Sequence, residues 1–230
     1  MFIRPILRGK DIREYSYNFA KKYIIAIPCG FTNKNAVGSP TNWFKTNYSS
    51  IYNYLVSTEE ALSKNRKSKT KGLYKRDDQG EYWWDLRSCK YMDDFYQQNI
   101  AWQRITKKNI FCLTEKNMVI LDSMAFISHL GNNKYYLLGI LNSNVIYYWI
   151  NLNVPAYGST GYRLANQFVV NMPIPVPNQK QFEQISEVVK EIVDSKVSEK
   201  SLHKNLQLLV YELYGLSEDE ILYLEGQIKG

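Results

Sequence analysis

The run YYLLGILNSNVIYYWI, residues 135–150, constrains this chain more than any other segment. Asn142, Ser143 and Asn144 interrupt it, whereas a membrane-crossing helix needs about 20 consecutive, mainly apolar residues. The run therefore reads as a helix of a globular core, which the rest of the chain must cover. Behind it, Gly158-Ser159-Thr160-Gly161 breaks the chain and residues 168–170 read as a short strand. Pro173, Pro175 and Pro177 then enforce an extended path, because proline fixes φ and restricts the residue before it.

The segments on either side supply the cover. YIIAIP, residues 23–28, reads as a buried strand ended by proline. From Asn42 onward, Trp43, Phe44, Tyr48, Ile51, Tyr52, Leu55 and Leu62 recur at helical spacing. Asp77-Asp78-Gln79-Gly80 is turn chemistry, so residues 73–87 read as a hairpin. Residues 100–105, 110–114 and 118–127 are rich in strand formers and separated by short polar breaks, which implies an antiparallel or mixed sheet. After residue 177 two amphipathic stripes follow. One is Phe182, Ile185, Val188/Val189 and Ile192/Val193; the other is Leu202, Leu206, Leu209 and Leu213, with Gly215 as a helix stop and a last short helix from Ser217. The expected class is α+β: a mixed or antiparallel sheet with a core helix, followed by a C-terminal helical tail.

Charge divides the chain in the same place. The 230 residues carry 29 Lys+Arg and 22 Asp+Glu. Residues 1–176 hold 23 Lys+Arg against 12 Asp+Glu, and residues 177–230 hold 6 against 10. A basic body suits a polyanion and an acidic tail suits protein, so the expected organisation is a recognition domain over 1–176 and a tail over 177–230, packed on the core or on a partner domain. Cys29, Cys89 and Cys112 are odd in number and far apart, without the spacing of a zinc site or a disulfide framework, which points to a reducing cytoplasm. Nothing resembles a secretory signal, and the chain reads as soluble, with no membrane partner.

Catalytic motifs are missing. There is no adjacent-proline (D/N)PP(Y/F) segment to hold a flipped adenine and no glycine-rich strand-to-helix turn for S-adenosylmethionine. Asn153-Val154-Pro155-Ala156-Tyr157 has only the outline of the first and reads as a helix end and turn. Asp194-Ser195-Lys196 matches half of a nuclease DxK but lies in an amphipathic helix, where Asp194 reads as solvated. No catalytic residue, metal ligand or cofactor site is assigned.

Binding residues are easier to nominate. Lys64, Arg66, Lys67, Lys69, Lys71, Lys75 and Arg76 fall in a stretch without acids, which reads either as a phosphate-contacting loop or as a solvated surface. The loop PAYGSTGYRLANQ carries Arg163, whose guanidinium matches guanine O6 and N7, and Asn166 and Gln167, whose amides match adenine N6 and N7. The bland alternative is that Arg163 pairs with a carboxylate while Tyr162 packs on the helix. Gln103, Arg104 and Arg87 are further candidates for reading bases. Strand alternation puts Gln103 and Arg104 on opposite faces, so one at most would face DNA. Trp83, Trp84, Trp102 and Trp149 read as core rather than as stacking platforms.

Leu141-Asn142-Ser143, Tyr162-Arg163-Leu164 and Met172-Pro173-Ile174-Pro175, in that order, resemble the TaqI-like C-terminal specificity domain of adenine-specific modification methyltransferases and type IIG restriction enzymes. The opening IRPILRGKDIREY, the segments LYKRDDQGEYWWDLR and NIAWQRIT, and the closing ELYGLSEDEI fit the same family. The resemblance implies a domain that recognises double-stranded DNA for a prokaryotic, cytoplasmic restriction-modification enzyme. It implies a methyltransferase domain elsewhere in the same polypeptide, with S-adenosylmethionine bound there, and a chain excised from that longer protein. It favours DNA contact for the basic run. Two alternatives stay open: a fragment of a type I specificity subunit and, from another class, an aromatic-rich protein- or carbohydrate-binding module suggested by the 19 tyrosines.

Overall fold

The structure is a computed structural model and describes residues 2–64, 71–158, 161–195 and 200–228. In chain order the elements are β1 (Ile3–Leu7), β2 (Ile12–Arg13), β3 (Ser16–Tyr17), β4 (Tyr23–Ile25), α1 (Phe31–Asn35), α2 (Pro40–Asn47) and α3 (Ser49–Lys64). Next come β5 (Ile100–Gln103), β6 (Ile105–Thr106), β7 (Phe111–Leu113), β8 (Val119–Ile120), β9 (Met124–Ile127), α4 (Lys134–Leu141) and α5 (Asn144–Asn153). The last are β10 (Ala156–Tyr157), β11 (Gly161–Arg163), α6 (Asn166–Val169), α7 (Gln179–Ser195), α8 (Lys200–Leu213) and α9 (Glu218–Ile228). The architecture is α+β. Two compact units form, one from Met1–Arg4 with Tyr23–Asp93 and the other from Pro5–Lys22 with Asp94–Gly230.

The first unit is built on aromatic packing. Ile27, Phe44 and Trp84 are its buried core. The Trp84 ring stacks on Phe44 at 4.9 Å and on Tyr82 at 4.8 Å between centroids, and its indole N–H donates to the buried Thr32 hydroxyl at 3.1 Å. A buried indole keeps its hydrogen bond this way. Asp85 is buried beside it, and burial pushes its carboxyl up to about 6. The helix expected from Asn42 is two helices, α2 and α3, separated where Tyr48 leaves helical dihedrals (φ −128°, ψ 40°). The hairpin expected over 73–87 is reduced to one bridge, Gln79 to Leu86, flanked in the same register by Arg87 N–H to the Asp78 carbonyl and Gly80 N–H to the Asp85 carbonyl, because Leu73–Lys75 form a turn of 3-10 helix in place of the first strand.

In the second unit β5 is central to a three-stranded antiparallel sheet, Trp102 lying opposite both Phe111 of β7 and Ala125 of β9. A parallel pair, Ile6 with Val119 and Leu7 with Ile120, makes the strand arrangement mixed. The run expected as one strand over 118–127 divides into β8 and β9 at the turn around Asp122, closed by Met124 N–H to the Leu121 carbonyl.

The apolar run over 135–150 is likewise two helices. Asn142 ends α4, and Ser143 caps α5 by accepting from Ile146 N–H. Both faces of this break are used: Asn142 exchanges two hydrogen bonds with the Phe111 backbone, at 2.9 and 3.0 Å, and Asn109 donates to the carbonyls of Leu141 and Ser143. The interruption is thus a joint between the helices and β7, and its polar groups are satisfied in the core.

Helix α4 packs on α7. A Cβ on Gly139 would lie 2.7 Å from Val189 Cγ2 and 3.3 Å from Ile185 Cγ2, so only glycine permits this approach. The stripes read from the sequence supply the contact: Ile185, Val189, Ile192 and Leu206 are buried, with Phe182, Leu202, Leu209 and Leu213 packed against them. Gly215 has φ +68° and ends α8, and Ser217 with Glu220 forms a capping box before α9. The proline segment is held by two tyrosines, Tyr214 donating to the Pro173 carbonyl at 2.6 Å and Tyr136 to the Pro175 carbonyl at 2.7 Å. Residues 168–170, expected as a strand, lie in and just after α6; three apolar residues are too few to distinguish the two periods. Among the described residues no helix is long and apolar enough to cross a membrane.

Candidate nucleic-acid interface

The second unit presents a small ribbon, β10–β11–β6, whose strands are all antiparallel to their neighbours. Tyr157 lies opposite Gly161, Tyr162 opposite Thr106, and Arg163 opposite Ile105. Side chains alternate along a strand, so Tyr162 and Arg163 face opposite ways. Tyr162 faces the core, and its hydroxyl donates to Asn151 Oδ1 at 2.6 Å. The other face is open. It carries Arg163, Ile105 (45% exposed) and Tyr157 (50% exposed).

The base of the ribbon is fixed. Leu164 is fully buried, its N–H donates to the Arg104 carbonyl at 2.7 Å, and its own carbonyl accepts from the Trp102 indole at 2.9 Å. Gly161 sits where β10 and β6 close in: a Cβ there would lie a tight 3.2 Å from the Tyr157 carbonyl oxygen and 3.3 Å from that of Thr106. The Tyr162-Arg163-Leu164 segment therefore has one residue locked on the helix, one projected outward and one locked in the core.

Of the residues nominated from the sequence, Arg104 and Arg163 both lie at this ribbon, on opposite faces by strand alternation, both exposed and neither in an ion pair among the described residues. Gln103 is half-buried against Gly9, where a Cβ would lie 2.9 Å from its Cγ and Cδ. Asn166 and Gln167 are exposed on the first turn of α6. Sequence reasoning missed Lys107 and Lys108, exposed just after β6, and the apolar pair Ile105 and Tyr157. The signal for the lysines was present: residues 95–114 hold Arg104, Lys107 and Lys108 and no acid.

In the first unit Lys64 closes α3 and is exposed, as are Lys75 and Arg87. Lys71 pairs with Asp77 at 2.5 Å on the surface, an interaction worth at most about 1 kcal/mol and easily exchanged for another anion. Arg76 is more committed, lying 3.4 Å from the Asp78 carboxylate as well as bonding the Asp85 carbonyl. Arg66, Lys67 and Lys69 lie outside the described residues.

The family model of the TaqI-like C-terminal specificity domain matches residues 4–174, about three-quarters of the chain. The chain belongs to this family. In this specificity domain the Leu141-Asn142-Ser143 segment is the joint between α4 and α5, and the Met172-Pro173-Ile174-Pro175 segment is the strap leading to α7. Among solved structures the fold is similar to that of the type IIL restriction-modification enzyme MmeI, determined in complex with DNA, with a TM-score of 0.61 and 14% identity over 98% of this chain. The chain spans 30% of that protein's length. No curated protein sequence matches it.

Proposed function

We propose that this specificity domain grips duplex DNA by its phosphates and reads a short site in the major groove, on behalf of an adenine-N6 methyltransferase of type IIG kind in the same polypeptide. One observation carries the reading: in a chain of the specificity family, an open ribbon face presents Arg163 with no acidic partner among the described residues. A major groove admits a β-ribbon, and an arginine there meets guanine O6 and N7 with two parallel hydrogen bonds. Arg104, Asn166, Gln167 and Arg87 are the next base-reading candidates, with Gln103 placed lower by its packing on Gly9.

Lys64, Arg66, Lys67, Lys69, Lys71, Lys75 and Arg76 take the phosphate role, which sets affinity and register without reading sequence. The catalytic part would bind S-adenosylmethionine, extrude the adenine and methylate it, steps for which this chain supplies the address. On this reading the protein works in a prokaryotic cytoplasm. The related MmeI was solved with DNA, which supports the same ligand here. The test is selection from a pool of random duplexes with the purified chain. Enrichment of one short motif is expected; recovery of an unenriched pool contradicts site recognition.

A further inference from the structure

The ribbon face offers more than an arginine. Arg104 and Leu164 are joined by a backbone hydrogen bond, so the next pair along, Ile105 and Arg163, is the non-hydrogen-bonded kind in which facing side chains stand closest. Ile105 is thus an exposed β-branched side chain beside the Arg163 stem, in a two-residue strand packed on its other face by Tyr162. An isoleucine in this position stabilises no core. On this face it has a cationic neighbour, Arg163 directly opposite, while Lys107, two residues along the chain, is exposed. An apolar group paired with a cation suits a polyanion that also carries an apolar feature. In a major groove that feature is the thymine C5-methyl, which borders the guanine edge that a neighbouring arginine would bond.

We infer that Ile105 is a specificity-determining residue that contacts the methyl group of a thymine next to the base pair read by Arg163. The inference rests on the DNA-reading role proposed above. It is tested on the motif recovered from the duplex pool, replacing each thymine in turn by deoxyuridine, which removes only the methyl and leaves Watson–Crick pairing intact. At one thymine adjacent to the Arg163-dependent guanine, the replacement should weaken binding roughly three- to tenfold. Ile105→Ala should bind thymine and deoxyuridine duplexes alike while keeping its guanine preference, and Ile105→Val should restore part of the discrimination. A motif with no thymine beside that guanine, no loss on any deoxyuridine replacement, or full discrimination in Ile105→Ala overturns the role of Ile105. Such results leave the recognition of DNA standing, whereas a pool without enrichment removes both.

Discussion

Asn142 shows how a polar residue in an apolar run can be structural. Its amide bonds both backbone groups of Phe111 in the buried interior; the Phe111 carbonyl also accepts from Tyr15 N–H, so Asn142→Leu leaves the Phe111 N–H as the donor that loses its partner. A loss of about 1–3 kcal/mol is expected for that buried donor, read as a lowered urea midpoint; an unmoved midpoint would contradict the joint described here. Arg163 is the opposite case. Arg163→Ala should leave the midpoint unchanged and relax preference at one base pair by about 1–3 kcal/mol, whereas a uniform loss on every duplex would make the residue structural. Asp85 gives a pH dependence. Its carboxyl is raised to about 6 by burial, above the ordinary value near 4, so the folded form holds a proton that the unfolded chain has already released in that window. Stability of the first unit should therefore fall as pH rises from about 4 to 6 and level off above. Thermal unfolding followed by tryptophan fluorescence checks this, and Asp85→Asn should remove the slope.

At the scale of elements, Gly139 sets how near α4 and α7 lie. Even Gly139→Ala places a Cβ within 2.7 Å of Val189, so the helices must part, with a loss of about 1–3 kcal/mol. Restoration by Val189→Ala in the double variant is the expected sign of direct contact; additive losses would argue against it. The two tail helices were legible from sequence because their apolar residues repeat over four turns, long enough to fix period and face. The core strands β5 and β7 were legible from their β-branched and aromatic content. What was not legible is local competition. Residues 135–150 have the hydropathy of one helix, and only the long-range bonds of Asn142 and Asn109 to the strand layer and its neighbour helix reveal two. The candidate ribbon was half visible: Arg163 and Arg104 could be nominated for it, but that Ile105 is open and Gln103 is wedged on Gly9 depends on strand register, which no local pattern encodes.

For the whole molecule, basic and acidic regions separate along the chain: the net +7 is the sum of +11 over residues 1–176 and −4 over 177–230. Where the cations lie decides how binding responds to salt, since each phosphate neutralised releases counterions. The central claim is that this chain binds duplex DNA through those cations, and the dependence of its affinity on salt tests it most directly. Titrating a labelled duplex between about 50 and 200 mM salt should give log affinity falling linearly with log salt, with a shallower slope after Lys67, Lys69 and Lys71 are changed together to alanine. An affinity indifferent to salt, or a slope untouched by the triple change, would contradict the account.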